Sequence, residues 1–210
     1  IAFSSGGEAL VATHQDGLVR AYSPATGKVL REFSGPGTPA ATCLAVARNG
    51  GSLAAGAADG SLRLWDYTSG KLLWKVNAHS GPVASVSISD AGDIILSGSK
   101  EEAPSIKLWD RKGANTGIYP GGRFCATAAL SPDGKFAAVA YADRSLRLLG
   151  PGLRPVAIAR LGTLSEPACV PLQFSPDGKS LAAVSPMADR AWVYGLPDED
   201  TTGRPGDIRP

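Results

Sequence analysis

The chain has 210 residues, enough for one ordinary domain, and its 43% hydrophobic and 19% charged residues exclude a disordered chain. Its 26 glycines and 16 prolines argue against long helices and for many short elements joined by turns. A net charge of +2 gives no hint of a nucleic-acid-binding face, and no apolar run approaches the ~18 residues of a membrane span.

From the N-terminus, Ile1-Ala2-Phe3 reads as the end of a strand, closed by the turn Ser4-Ser5-Gly6-Gly7. A second strand carries His14, and Asp16-Gly17 turns into a third that ends at Tyr22. The pattern then restarts. Leu44 and Val46, two apart, precede the turn Arg48-Asn49-Gly50 and the apolar run Leu53-Ala54-Ala55-Gly56. Asp59-Gly60 leads into Leu62-Arg63-Leu64-Trp65, and Tyr67-Thr68-Ser69-Gly70-Lys71 into Leu72-Leu73-Trp74-Lys75-Val76. The third copy runs from Val86 and Ile88 through Ser89-Asp90-Ala91-Gly92 to Ile106-Lys107-Leu108-Trp109. The fourth and fifth open on Ala128 with Leu130 and on Leu172 with Phe174. Both then turn at a Ser-Pro-Asp-Gly-Lys segment, Ser131 to Lys135 and Ser175 to Lys179. The turn glycines Gly7, Gly50, Gly92, Gly134 and Gly178 are 43, 42, 42 and 44 residues apart. The ends of the third strands, Tyr22, Trp65, Trp109, Leu149 and Tyr194, step by 43, 44, 40 and 45. Two anchors keeping one period over five copies define a repeat. Each copy predicts four short strands with Asp-Gly or Asn-Gly hairpin chemistry. One such sheet cannot cover its own apolar faces, whereas sheets stacked radially can, as the blades of an all-β propeller.

Asp59-Gly60-Ser61-Leu62-Arg63-Leu64-Trp65-Asp66 and Ile106-Lys107-Leu108-Trp109-Asp110 resemble the Trp-Asp segments of WD-repeat propellers, and Ala78-His79 is similar to that family's Gly-His dipeptide. The resemblance covers residues 1–196, in approximate repeats 1–37, 38–79, 80–122, 123–166 and 167–196, and leaves 197–210 as a polar Gly/Pro-rich tail. It implies antiparallel four-stranded blades and a buried polar set of His, Ser or Thr, Asp and Trp in one repeat, which fixes blade geometry when every member is satisfied. That set is incomplete in every copy: the third repeat offers His79, Ser99 and Trp109, the second Asp59 and Trp65 with Ala57 at the Ser position. WD propellers usually close with about seven blades. Five visible copies with ragged ends therefore predict part of a larger propeller, completed by further blades of the parent chain or by a partner chain.

The remaining chemistry has plain structural readings. His79 opens a repeat and is expected in the buried set; His14 occupies the position of Ser99 and is expected to substitute in a similar set. No second His or Cys stands at metal-ligand spacing. Cys43, Cys125 and Cys169, odd in number and each near the start of an inner strand, read as reduced thiols filling small apolar sites and suggest an intracellular chain. Arg20, Arg63, Lys107 and Arg147 recur at one position, one per repeat, so their stems are expected to cover neighbouring blades while the heads reach water. Departures from the repeat point to recognition, because loops on a rigid scaffold carry it. Lys100, Glu101 and Glu102 lie in one insertion, Met187 in another, and Arg123 in the loop entering the fourth repeat. All are expected on one face, as a surface for proteins or peptides. The expected function is thus a non-catalytic protein-interaction scaffold with no cofactor, no metal and no membrane contact. Two alternatives carry less weight. The stretch from Ala58-Asp59-Gly60-Ser61-Leu62 through Gly70-Lys71-Leu72-Leu73-Trp74 resembles one repeat of exported quinone-dependent dehydrogenase propellers, but without their quinone and metal residues. A nucleic-acid-associated propeller would require a steep salt dependence of binding.

Overall fold

The computed structural model describes residues 1–35, 37, 39–99, 105–120, 125–141, 145–160, 171–185 and 190–196. The strands fall into five antiparallel sheets in chain order. The first contains β1 (Ala2–Phe3), β2 (Leu10–Thr13), β3 (Val19–Tyr22) and β4 (Val29–Phe33). The second contains β5 (Ala41–Val46), β6 (Ser52–Ala57), β7 (Ser61–Asp66) and β8 (Leu72–Asn77). The third contains β9 (Val83–Ile88), β10 (Ile94–Ser99), β11 (Ser105–Asp110) and β12 (Asn115–Pro120). The fourth contains β13 (Cys125–Leu130), β14 (Ala137–Tyr141), β15 (Ser145–Gly150) and β16 (Arg154–Arg160). The fifth contains β17 (Leu172–Phe174), β18 (Ser180–Ser185) and β19 (Arg190–Gly195), three strands among the described residues. Each strand pairs with the next one in sequence, so every sheet is a meander of propeller-blade type.

The turns explain why the period is so regular. All five anchor glycines adopt left-handed backbone, with φ between 69° and 75°, a region other residues enter only at a cost. Gly134 also lies against the preceding sheet, where a Cβ would come 2.6 Å from Ile94. In four of the five turns a serine three residues before the glycine closes the hairpin, and Ala47 stands there in the second. Ser131 Oγ donates to Asp133 at 2.6 Å and accepts from the Phe136 amide at 2.9 Å, and Ser175 repeats the arrangement with Asp177 and Ser180. Neighbouring turns interlock: the Asn49 amide donates to the Asp90 carbonyl, and the Asp90 amide to that of Pro132.

Apolar side chains alternate along the strands and fill the spaces between sheets. Four clusters result, each shared by two consecutive sheets. Val11, Val19 and Phe33 meet Leu53 and Trp65; Ala54, Leu62 and Leu64 meet Ile95 and Trp109. Leu96 and Ile106 meet Val139 and Leu149; Leu146 and Leu148 meet Phe174, Leu181 and Tyr194. Among the described residues no such cluster joins the fifth sheet to the first, so the stack is not a closed ring. The outward face of the fifth sheet accordingly leaves Val184 and Val193 exposed.

Candidate functional site

Antiparallel pairing sends the β5–β6 and β7–β8 turns to one end of the second sheet, and the β6–β7 turn and the β4–β5 and β8–β9 connections to the other. The other sheets repeat this arrangement. The second end, the loop face, gathers the distinctive side chains.

At its centre the third sheet holds a buried polar set. His79 Nε2 lies 2.8 Å from Ser97 Oγ, Trp109 Nε1 donates to the same oxygen at 2.9 Å, and His79 Nδ1 is 3.3 Å from Ser105 Oγ. His79, Ser97 and Trp109 are all buried. Sequence spacing selects Ser99 for this position; the structure places Ser97 there. The two residues point to the same side of one strand, and the pairing of β10 with β9 shifts register between Gly98 and Ser99. The register of β10 against β11 sets Ile95 opposite Trp109, so Ser97 is the nearer to the indole, and Ser99 instead accepts the Ser105 amide at 3.4 Å. The second sheet solves the same problem differently. Trp65 Nε1 donates to the Ser34 carbonyl of the first sheet's outgoing chain at 2.9 Å, while Asp59 accepts the Ser61 amide, so these two residues do not form one set. Burial works against the Asp59 charge, but contacts with Ser61 and the fields of Lys75 and Arg63 hold its carboxyl below the usual value. In the first sheet His14 Nε2 pairs with Tyr22 Oη at 2.8 Å.

The repeated cations correct a second expectation. The Arg63 head does not reach water, and three of the four cations hold the chain of the preceding sheet. Arg63 Nη2 donates to the Gly37 carbonyl at 3.2 Å, Lys107 Nζ to the Ala78 carbonyl, and Arg147 Nη1 to Tyr119 Oη at 3.0 Å. The Arg147 guanidinium also lies 4.7 Å from the centre of the Tyr141 ring. Arg63 is only 2% exposed, and burial pulls its guanidinium below the usual range, opposed by Asp59. Arg20, on the first sheet, instead grips Asp16 and Glu32 of its own sheet, both at 2.7 Å. This repeated clamp was visible in sequence as a recurring basic position; its target was not, because the acceptors are backbone carbonyls and a tyrosine from the preceding repeat.

Gly60 joins the second sheet to the third. Its carbonyl accepts both the Ala78 and His79 amides at 3.0 Å, its φ is +80°, and a Cβ would collide with the His79 carbonyl. On the inner side, the first strands of the five sheets line a cavity of about 630 Å³ that includes Cys43, Ser85, Ser87, Thr127 and Gln173. Burial pushes the Cys43 thiol up, away from the reactive thiolate, against the contact with Thr42. Among the described residues no group of three His, Cys, Asp or Glu side chains could hold a metal, and no helix is long and apolar enough to cross a membrane. Lys100, Glu101, Glu102, Arg123 and Met187, the residues expected to contact partners, lie outside the described residues, as do Cys169 and the tail 197–210.

Residues 27–66 and 70–110 match the family model described as WD domain, G-beta repeat. Similar curated proteins include the periodic tryptophan protein 2 homolog of Schizosaccharomyces pombe, 32% identical over 55% of this chain and 14% of its own length. Autophagy-related protein 16 of Arabidopsis thaliana is 33% identical over 51% of this chain and 22% of its own. Small ribosomal subunit protein RACK1 of Drosophila melanogaster is 25% identical over 66% and 45%. The chain thus spans less than half the length of each of these relatives.

Proposed function

We propose that this chain, a WD-repeat protein whose repeats stack as propeller blades, is a non-catalytic scaffold that binds proteins or peptides through its loop face. The observation that carries this reading is how the polar chemistry of that face is used. Lys107, Arg147, Trp65 and the His79–Ser97–Trp109 set each tie a loop or strand end within a sheet or to the sheet beside it. Side chains held this way make a stiff rim, and stiff rims present loops at low entropic cost. Two relatives, a small ribosomal subunit protein and telomerase protein component 1 of Rattus norvegicus, are by name parts of assemblies, which supports a role within one. The insertion with Lys100, Glu101 and Glu102, the Arg123 loop and Met187 are proposed as contact points on this face.

Affinity capture with the full-length protein, wild type against Lys100→Glu/Arg123→Glu, tests this. Loss of captured proteins with an unchanged melting temperature is expected. Capture unaltered by the charge reversal would remove these loops from the interface.

A further inference from the structure

One cross-strand position differs among the sheets in a way that neither the scaffold role nor the fold requires. The recurring cation of each third strand faces one residue on the outer strand. Arg20 faces Glu32, Arg63 faces Lys75, Lys107 faces Ile118 and Arg147 faces Ile158. The first sheet thus opposes unlike charges and forms an ion pair, and the third and fourth set a cation against an aliphatic side chain. Only in the second do two like charges stand directly opposite each other, an arrangement that is unfavourable by itself.

Among the described residues no carboxylate pairs directly with either of them. Arg63 Nη2 and Lys75 Nζ approach the same carbonyl, that of Gly37, at 3.2 and 3.5 Å. Arg63 Nε is buried with no hydrogen-bond partner. Among the described residues, neither cation forms an ion pair, in contrast to Arg20 with its two carboxylates. Asp59 is the acidic group whose field reaches them, but its carboxylate is turned to the Ser61 amide. A buried guanidinium whose Nε–H has no partner and an exposed ammonium above it make a fixed positive field with low local dielectric beneath it.

We infer that Lys75, above buried Arg63 at the Gly37 edge of the loop face, is an anchor for an oxyanion carried by a partner peptide, a glutamate or aspartate carboxylate or a phosphoryl group. The ligand contacts Lys75 beside Gly37, and Arg63 attracts it from below as a positioning residue. The size of the site favours a peptide over a nucleic acid. It offers one anion position, whereas the equivalent cations on the neighbouring sheets are engaged by Glu32, the Ala78 carbonyl and Tyr119, so among the described residues no row of free cations tracks a phosphate backbone. The anchor rests on the loop face being the interaction surface and specifies the chemistry that one part of it recognises.

The test uses the full-length protein and three labelled probes: a short glutamate-rich peptide, the same peptide with phosphoserines, and a single-stranded RNA of matched charge. Lys75→Glu is the informative substitution, because it copies the Arg20–Glu32 arrangement into the second sheet. It is expected to weaken binding of the acidic or phosphorylated peptide by about tenfold or more while raising the melting temperature by about 2–4 °C. Lys75→Gln should weaken binding without that rise. Preference for the phosphoserine peptide over the glutamate one identifies the phosphoryl group as the source, and the reverse preference identifies the carboxylate. Peptide binding unchanged in Lys75→Glu, absence of peptide binding to the wild type, or tighter binding of the RNA would each overturn the assignment. If the wild type ignores the peptides yet still captures proteins in a way that depends on Lys100 and Arg123, the anchor is wrong and the interaction face stands.

Discussion

The junction between the second and third sheets and the junction between the first and second perform the same task with different parts. In the former, Trp109 reaches a side-chain oxygen, Ser97, which also holds His79, and Gly60 fastens the loop above them. In the latter, Trp65 reaches a backbone carbonyl, that of Ser34, with no histidine and no hydroxyl between. The cations differ likewise: Lys107 meets a carbonyl beside an aliphatic neighbour, whereas Arg63 shares its carbonyl with a second cation. A sheet of this chain can therefore lack most of the polar set and keep its geometry, provided the indole still finds an acceptor. The freed positions then become available for other uses.

The largest expected effect breaks the better-built junction. Gly60→Val requires a β-branched residue at φ +80° and drives its Cβ onto the His79 carbonyl. A loss of about 3 kcal/mol or more is expected in denaturant unfolding. Next, Ser97→Ala leaves His79 Nε2 and Trp109 Nε1 buried without their shared partner, which should cost about 2–3 kcal/mol. Ser99→Ala removes one long bond to the Ser105 amide and should cost about 0.5 kcal/mol. Equal losses at the two serines would mean that the polar set is not centred on Ser97. Trp65→Phe in the weaker junction gives up a single bond to Ser34 with most of the packing kept, about 1–2 kcal/mol by the same measurement.

The smallest effect is a pH dependence spread over the turns. Asp16, held by Arg20, Asp66, held by Ser69, and Asp177, held by Ser175, all titrate below their ordinary 3.8. Groups lowered by folding contribute fully above that value and lose their contribution as pH falls through the folded one. The melting temperature should therefore be flat down to about pH 4 and decline modestly below it, because these carboxylates are exposed.

The repeat was legible in sequence because its markers are local. A glycine forced to positive φ and a serine that closes its own hairpin, as at Ser131 and Gly134, need no knowledge of the neighbouring sheet. Five sheets and their order followed from those turns. The site was less legible because its bonds cross repeats. Arg63 with Gly37, Lys107 with Ala78 and Trp65 with Ser34 join residues of adjacent copies through main-chain oxygens, which no side-chain pattern advertises. The choice between Ser97 and Ser99 depended on the register of β10 against β11, which sets Ile95 opposite Trp109, and spacing alone places both on the same side. The opposed cations Arg63 and Lys75 stand twelve positions apart in sequence, and only the register of β7 against β8 brings them together.

Hydrogen–deuterium exchange of the full-length protein, free and bound to a protein it captures, tests the central claim that the loop face is the binding surface. Protection is expected in the amides of Ser34, Gly35, Gly37, Ala40 and Ala41, of residues 58–61 and of residues 78–81, which lie on that face between the first three sheets, with the Asp90, Asp133 and Asp177 turns unchanged. Protection confined to those turns, at the opposite end of the blades, would contradict it.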